Sequence, residues 1–364
     1  MKASDTGSRR GARRLRALLS LCVAVLAAAC AAPPAARPVP AAPEAAAPAG
    51  GAAPPTAVAE KPIAIGVVNV GPMGSNDLIV LADRLGFYRK HGLRAEVTST
   101  SSTTVVQGLI SGSFDVGSTS AESFINANLE GADLAIIGQL SRALTTRLMV
   151  TPGITAPAQL RDTIGCTISI GGGSFVSMHH YLVSQGLEPG KDVTLVATGS
   201  SANNEAAFRT GKCQFTVAGS DSAPRLEADG MRMLYDFRGT PYPLAVVATT
   251  RAGIQTDRER VLRFLRAITD AIAYVKTHPA ETMADLVARG LPDDDDLRRA
   301  YDDGAANLSL PPALDPAANH NLIEWNAEYL PAYRDVAIDR HVDPSLMAEV
   351  EQSGFVRALA TPAQ

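Results

Sequence analysis

Aromatic residues are scarce in this sequence: nine Phe, eight Tyr and one Trp make up 5% of 364 residues. Aromatic walls around a ligand are correspondingly sparse, which favours a small polar ligand. No apolar run approaches the ~20 residues a membrane-spanning helix requires, since the longest, Ala17 to Ala29, falls well short. Nucleophile and metal signatures are also missing. There is no Gly-x-Ser-x-Gly elbow, no zinc-hydrolase spacing and no G-x-G-x-x-G. Arg209-Thr210-Gly211-Lys212-Cys213 lacks the first glycine and the final Ser or Thr of a phosphate loop, and Asp293–Asp296 fits no calcium loop. No cofactor is implied, and the composition points away from an enzyme.

The N-terminal stretch is the most informative part of what is present. Lys2, Arg9, Arg10, Arg13, Arg14 and Arg16 precede the apolar run, and Ala27, Ala28 and Ala29 lead into Cys30. This is the charged, apolar, small-residue order of an export signal. With a cysteine at the cleavage point it resembles a bacterial lipoprotein signal, which implies a lipidated Cys30 as first residue of the mature chain. Plain secretion and an uncleaved anchor are the alternatives, and Arg9-Arg10 leaves open whether the Sec or the Tat route is used. Ala31 to Glu60 is almost wholly Ala and Pro and cannot bury enough surface to order itself, so it reads as a semi-stiff tether. The 29 residues before Cys30 hold six of the 33 basic and one of the 37 acidic residues, leaving 27 against 36, a net charge of −9. That balance excludes nucleic acid and anionic lipid headgroups as partners.

From Lys61 onward, β-branched runs alternate with amphipathic stretches, the pattern of an α/β fold with mainly parallel sheets. Strands are expected at 63–69, 94–99, 114–117 and 134–139, with helices at 76–86, 103–111 and 120–130 between them. A second set follows, with strands at 167–170, 193–197 and 214–218 and helices at 175–185 and 203–210. Then come a β-rich run at 243–249, a capping box from Thr256 to Glu259, and a long helix with the stripe Val261, Leu265, Ile268, Ile272 and Val275, closed by Pro279. The remainder reads as helical. The chain thus leaves one sheet and returns to it, crossing near Leu148–Val150 and Leu244–Thr249, which implies two lobes, a cleft and hinge closure. The expected division is signal 1–29, lipidated Cys and tether 30–60, first lobe 61–148 and 244–364, and second lobe 149–243.

Several segments carry a family resemblance. LADRLGFYRKHGLRAEV (81–97) looks like a helix ending at a Gly-aromatic pair before a Gly-Leu and the second strand. QGLISGSFDVGSTSAESFINANLEGADLAIIGQL (107–140), QLRDTIGCTISIGGGSF (159–175) and KTHPAETMADLV (276–287) are similar to later parts of the same pattern. Together they resemble the solute-binding proteins for aliphatic sulfonates, taurine, nitrate and the thiamine pyrimidine precursor. The resemblance covers about 60 to 340. It implies a type II periplasmic-binding-protein fold with two lobes of mainly parallel sheet joined by two crossing strands. It also implies a receptor that passes a small polar or anionic organic molecule to an ABC permease and ATPase carried by other chains. The receptor would be a monomer, exported, held on a bacterial membrane by its lipid, and facing the periplasm or cell exterior. A sensing or scaffold lipoprotein of the same fold is the alternative. The pyrimidine-precursor synthases, which are enzymes of this fold, carry a cysteine-rich motif that this sequence lacks.

Ligands of open α/β sheets sit beyond the carboxyl ends of strands, which selects five loops. In the loop 70–76, Asn76 falls where pyrimidine-binding relatives place a polar contact. Ser118, Thr119 and Ser120 offer hydroxyls that either meet ligand or cap the next helix. Arg142 is either an anion clamp or a solvated arginine. Gly171, Gly172, Gly173 and Ser174 form either a backbone cradle for an anionic group or a tight strand–helix turn, with Phe175 as an apolar wall. Asp221 either accepts from a ligand N–H or caps a helix. Beside an anion site, Asp221 favours a polar or zwitterionic ligand. His179 and His180 are adjacent, so on a helix they point about 100° apart and cannot chelate together. Trp325, spaced helically with Leu322 and Tyr329, reads as core. Once Cys22 and Cys30 are assigned to the signal and the anchor, Cys166 and Cys213 remain. Each precedes a strand, and the implied fold makes those strands parallel neighbours, so a disulfide away from the ligand is expected.

Overall fold

The computed structural model describes residues 61–68 and 73–359. The signal segment, Cys22, Cys30, the Ala/Pro tether and residues 69–72 of the first candidate loop lie outside the described residues. The described part runs β1 (Ile63–Val68), α1 (Asp77–Arg84), α2 (Phe87–Lys90), β2 (Ala95–Thr100), α3 (Ser102–Ser111), β3 (Val116–Thr119), α4 (Ala121–Leu129) and β4 (Leu134–Gln139). It continues through β5 (Arg147–Val150), β6 (Ile164–Thr167), α5 (Gly173–Ser184), β7 (Thr194–Ala197), α6 (Ser201–Arg209), β8 (Phe215–Ala218), α7 (Ala223–Ala228) and β9 (Arg232–Asp236). The last part holds β10 (Val246–Thr250), α8 (Arg251–Thr256), α9 (Arg258–Thr277), α10 (Pro279–Ala288), α11 (Asp295–Asn307), α12 (Pro316–Tyr329), α13 (Ser345–Gln352) and α14 (Phe355–Leu359).

The strands form two five-stranded sheets ordered β2-β1-β3-β10-β4 and β7-β6-β8-β5-β9. The order is the same in both: second, first, third, a strand arriving from the other set, then fourth. The arriving strands β10 and β5 run antiparallel to their neighbours, while the β1–β2, β1–β3, β6–β7 and β6–β8 pairs are parallel. The two connecting segments lie side by side. Leu144 N donates to Thr240 O at 2.9 Å, Leu140 N to Ala245 O at 2.8 Å, and Ala143 bridges Pro241. The crossings therefore lie at 140–146 and 237–245. Leu148–Val150 is already part of β5 in the second sheet, so the first crossing comes earlier than the sequence suggests.

Periodic burial explains the main elements. Ile63, Ile65 and Val67 of β1 are buried at every second position, and β4 is buried throughout because helices cover both its faces. The expected α9 stripe from Val261 to Val275 is wholly buried. Its cap differs from the expected one. Asp257 accepts from Arg260 N at 3.2 Å, whereas the Thr256 hydroxyl donates back to Ala252 O, because a short helix, α8, already occupies 251–256. Asp294 caps α11, and the other aspartates of the 293–296 run pair with Arg298 and Arg299, a solvated helix start.

Two strand readings need correction. The segment expected as a strand at 167–170 is paired at Ile164–Thr167, three residues earlier. The β6–β7 ladder ends at Thr167–Ala197, and Ile170, which suggested continued strand, is exposed. Cys166 accordingly lies within the strand and not before it. It is bonded to Cys213, with Cα atoms 5.7 Å apart and both side chains buried. The bridge staples β6 to the segment entering its parallel neighbour β8, and neither cysteine lines the cleft described below. Mass mapping without reductant should recover a linked peptide pair containing Cys166 and Cys213; two alkylatable thiols in the folded protein would contradict this. The second correction is an omission, β9, an edge strand whose Met233 and Tyr235 face solvent.

Candidate ligand-binding cleft

One pocket of about 400 Å³ is lined by both sheets and both crossing segments. The first sheet's side contributes Met73 to Asn76, Ser102, Thr119 and Ser120. The crossings contribute Thr145, Thr146, Leu244 and Ala245. Across from them stand Gly172, Gly173, Ser174, Asn204, Thr216 and Asp221 of the second set. A wider groove of about 1200 Å³ adjoins it, with Ser102, Ser169, Gly172 and Ser201 common to both. The inner volume suits a small organic molecule.

On the first side, polar groups are organised by hydrogen bonds below the pocket surface. Ser118 Oγ donates to Asn76 Oδ1 at 2.7 Å and lies 3.1 Å from Val246 O. Asn76 is 5% exposed and, although it stands at the start of α1, its side chain caps nothing. With its oxygen engaged, the Asn76 amide offers its NH₂ donors to the pocket. Thr119 closes β3 and its hydroxyl donates to Ser102 at 2.9 Å. Ser120 sits at the N-cap of α4 but bonds Ser123 Oγ, at 3.0 Å, rather than a backbone N–H. The strand β3 ends at Thr119, two residues beyond the expected 117, so Ser118 and Thr119 belong to the strand.

On the opposite side α5 begins at Gly173 with Gly172 as N-cap and no side-chain cap, leaving first-turn N–H groups toward the pocket. Glycine is required at 173 by close approach: a Cβ there would lie 2.3 Å from Leu244 Cδ1 and 3.1 Å from Glu122 Oε1. Glu122 comes from the first turn of α4 and is fully buried. Neither of its oxygens has a hydrogen-bond partner of good geometry. Burial pushes its carboxyl up to about 7, tempered by its own backbone N–H and by the nearby Ser120 and Tyr242 hydroxyls. The helix N-terminus expected to welcome an anion therefore has an internal carboxyl group, of raised pKa, directly beneath it.

Asp221 lines the pocket one residue before Ser222, the N-cap of α7, so it does not occupy the cap position. Burial raises its pKa, opposed by Arg225 and by the backbone N–H groups of Asp221 and Ser222. Glu205 also lines the pocket, but Arg209 Nε and Nη2 hold it at 2.9 and 2.7 Å.

Two expected contacts lie elsewhere. Arg142 is exposed outside the pocket: Ser141 turns inward, its Oγ accepting from Ala245 N at 3.1 Å, and the next side chain points out. Phe175 is buried against Tyr329, with ring centroids 4.8 Å apart, and His179. It therefore walls the α5–α12 junction and not the pocket. Trp325 is core as expected, packed between His180 and Tyr242. Sequence reading missed Thr146, whose buried hydroxyl has no partner and which lines the pocket, and the pair Asn204–Thr216, joined at 2.6 Å. Thr216 closes that chain by donating to Cys166 O at 3.0 Å. Strand hydroxyls facing a cleft carry no sequence mark distinguishing them from those facing solvent.

A family model described as NMT1/THI5-like matches residues 77–282, more than half of the chain and both sides of the pocket. The chain belongs to the NMT1/THI5-like family. No curated protein matches the sequence. Among solved structures, a Bordetella bronchiseptica protein is similar at 18% identity and TM-score 0.67, covering 80% of this chain and 97% of its own. The periplasmic aliphatic sulphonate-binding protein SsuA of Escherichia coli is similar at 19% identity and TM-score 0.62, with 78% and 98% covered. The alkanesulfonate-binding SsuA of Xanthomonas axonopodis pv. citri, bound to MOPS, gives 19% and 0.61, with 75% and 93% covered. At these identities the likeness establishes the fold: this NMT1/THI5-like chain has the two-lobed, mainly parallel architecture of periplasmic binding proteins.

Proposed function

We propose that this protein is an extracytoplasmic receptor that holds a small polar organic molecule between two lobes and delivers it to an ABC importer. The observation that carries the reading is the pocket itself. It is lined at once by strand ends of both sheets and by both crossing segments, so a ligand there makes its full set of contacts only when the two halves stand together. The lobes are 61–139 with 246–364, and 147–236, joined by the crossings at 140–146 and 237–245. Contacts fall to Asn76, Thr119, Ser120, Gly172, Gly173, Ser174 and Asp221, joined by Thr146. The permease and ATPase are separate chains. Lipid on Cys30, with 31–60 as tether, keeps a monomeric receptor near them.

The test is a thermal-shift and calorimetry screen of the purified chain against small sulfonates, carboxylates, amines and pyrimidines. Asn76→Ala and Thr146→Val should each weaken any hit about tenfold, the loss of one buried hydrogen bond. Thr146→Val, whose hydroxyl has no internal partner, should leave the melting temperature of the free protein unchanged, whereas Asn76→Ala also breaks the bond to Ser118 and should lower it. Ligand binding unaffected by both substitutions would remove the pocket from the account.

A further inference from the structure

Charge is distributed unevenly around the pocket. Among its described lining residues Glu205 and Asp221 are the only charged ones, and both are acidic; no Lys or Arg reaches the wall. Their situations differ. Glu205 is held by Arg209, with Arg225 Nη2 at 3.7 Å from its other oxygen. Arg225 is about half exposed and its guanidinium donates to the backbone oxygen of Asp221, not to the carboxylate. No described side chain donates to the Asp221 carboxylate. The Asp221 side chain is folded back over the loop, with Oδ1 2.7 Å from where a Cβ at Gly219 would stand, so it is fixed at the pocket wall.

Helix N-termini favour an anion, and several begin at the pocket, at Asn76, Ser120, Gly172 and Ser222; only partial charges are supplied there, and that of α5 has Glu122 beneath it. Its Oε1 lies 3.1 Å from a Cβ position on Gly173, in a fully buried site with both oxygens unpartnered. An anionic ligand would thus meet helix-end partial charges with no side-chain cation on the wall, and across the pocket the carboxylate of Asp221, to which no described side chain donates. A desolvated charge without a counter-ion is costly to keep, and a ligand that supplies the counter-ion recovers that cost on binding.

We propose that the ligand of this pocket carries an ammonium or guanidinium group that pairs with Asp221, and that simple organic anions are excluded from it. This rests on the receptor reading above and narrows its ligand class. The surrounding donors and acceptors, the Asn76 amide and the hydroxyls of Thr146 and Ser174, then grip the uncharged remainder. The raised pKa of Asp221 accords with a carboxylate that lacks its partner in the free protein.

The experiment uses three probes of one chain length, propylammonium, propylguanidinium and propanesulfonate, titrated calorimetrically into the intact protein and into Asp221→Asn. The expected result is binding of one or both cations and none of the sulfonate. Asp221→Asn should lower cation affinity about tenfold or more, the loss of a charge-assisted pair, with an unchanged circular-dichroism spectrum. Binding of propanesulfonate, tightened or unaltered in Asp221→Asn, would overturn the ligand class while leaving the receptor reading in place. Absence of binding by all three probes would overturn it as well, and the wider solute screen then decides the receptor reading separately. Should Asp221→Asn fold poorly, Asp221→Glu, which keeps the charge and moves it, must retain the cation preference with altered affinity.

Discussion

Arg289→Met should lower the unfolding free energy by about 3 kcal/mol, measured by urea titration at neutral pH. The Arg289 guanidinium grips both oxygens of Asp77, at 2.6 and 2.8 Å, and Asp77 is 5% exposed. Removing the cation leaves a carboxylate desolvated at the start of α1 with only the Met73 amide, 3.2 Å from Oδ2, to satisfy it. The low end of the range for a broken buried pair applies because the Arg289 side chain keeps 20% exposure and water can partly replace it. The double variant Asp77→Asn with Arg289→Met should recover part of the loss, since no charge is then stranded. A loss below about 1 kcal/mol in Arg289→Met, or no recovery in the double variant, would show that the pair is not buried in solution.

The same pair reaches the pocket. Met73 has a positive φ of 60°, an uncommon conformation for a side-chain-bearing residue, and Asp77 holds its amide. Behind it Gly304 leaves the room that Met73 needs: a Cβ at 304 would stand 2.7 Å from Met73 O. Arg289 at the C-cap of α10 and Gly304 on α11 therefore fix the pocket wall at Met73 and Gly74. Arg289→Met should weaken ligand binding as well as stability, though Arg289 does not line the pocket.

How much of this was legible beforehand depends on what kind of signal each feature leaves. The α9 stripe and β4 could be placed from sequence because burial imposes a period or a continuous run. Cys166 and Cys213 could be paired because the fold implied by the resemblance makes their strands neighbours, even though β6 was placed three residues late. That error came from Ile168 and Ile170, which look like strand but line the cleft or face solvent once the ladder ends at Thr167. The glycines at 172 and 173 and Asp221 could be singled out because they follow strands in loops. Arg142 obeyed the same rule and lies outside, because which of two successive side chains turns inward is decided by Ser141 bonding Ala245, a contact 104 residues away in sequence. Glu122 left no mark at all: in sequence it is one more acidic residue in the first turn of a helix.

Glu122→Gln should make the protein more stable at pH 8 and no more stable at pH 4, and this difference is the second large effect. The Glu122 carboxyl has its pKa raised from 4.5 to about 7 by burial. A folded-state pKa above the unfolded one means the folded protein binds the extra proton. The stability this contributes is fully present below about pH 4.5 and is lost as pH rises through about 7. Some 2.5 units correspond to about 3 kcal/mol, lost by pH 8 in the wild type and absent from the titration of a glutamine. The groups facing Glu122 are the hydroxyls of Ser120, Tyr242 and Tyr333, the last donating to Glu122 O at 3.4 Å. Gly173 and Leu244 complete the surroundings. Both tyrosines are pushed upward by burial, so neither supplies charge below pH 10. His179 and His341, lowered by burial, act in the opposite direction, losing stability as pH falls. They are common to both proteins and cancel when wild type and variant are compared at each pH. Melting temperatures from pH 4 to 9 should coincide in acid and separate by several degrees above pH 7, with the variant higher. Curves that stay parallel across that range would mean that Glu122 is ionised and solvated in the folded protein.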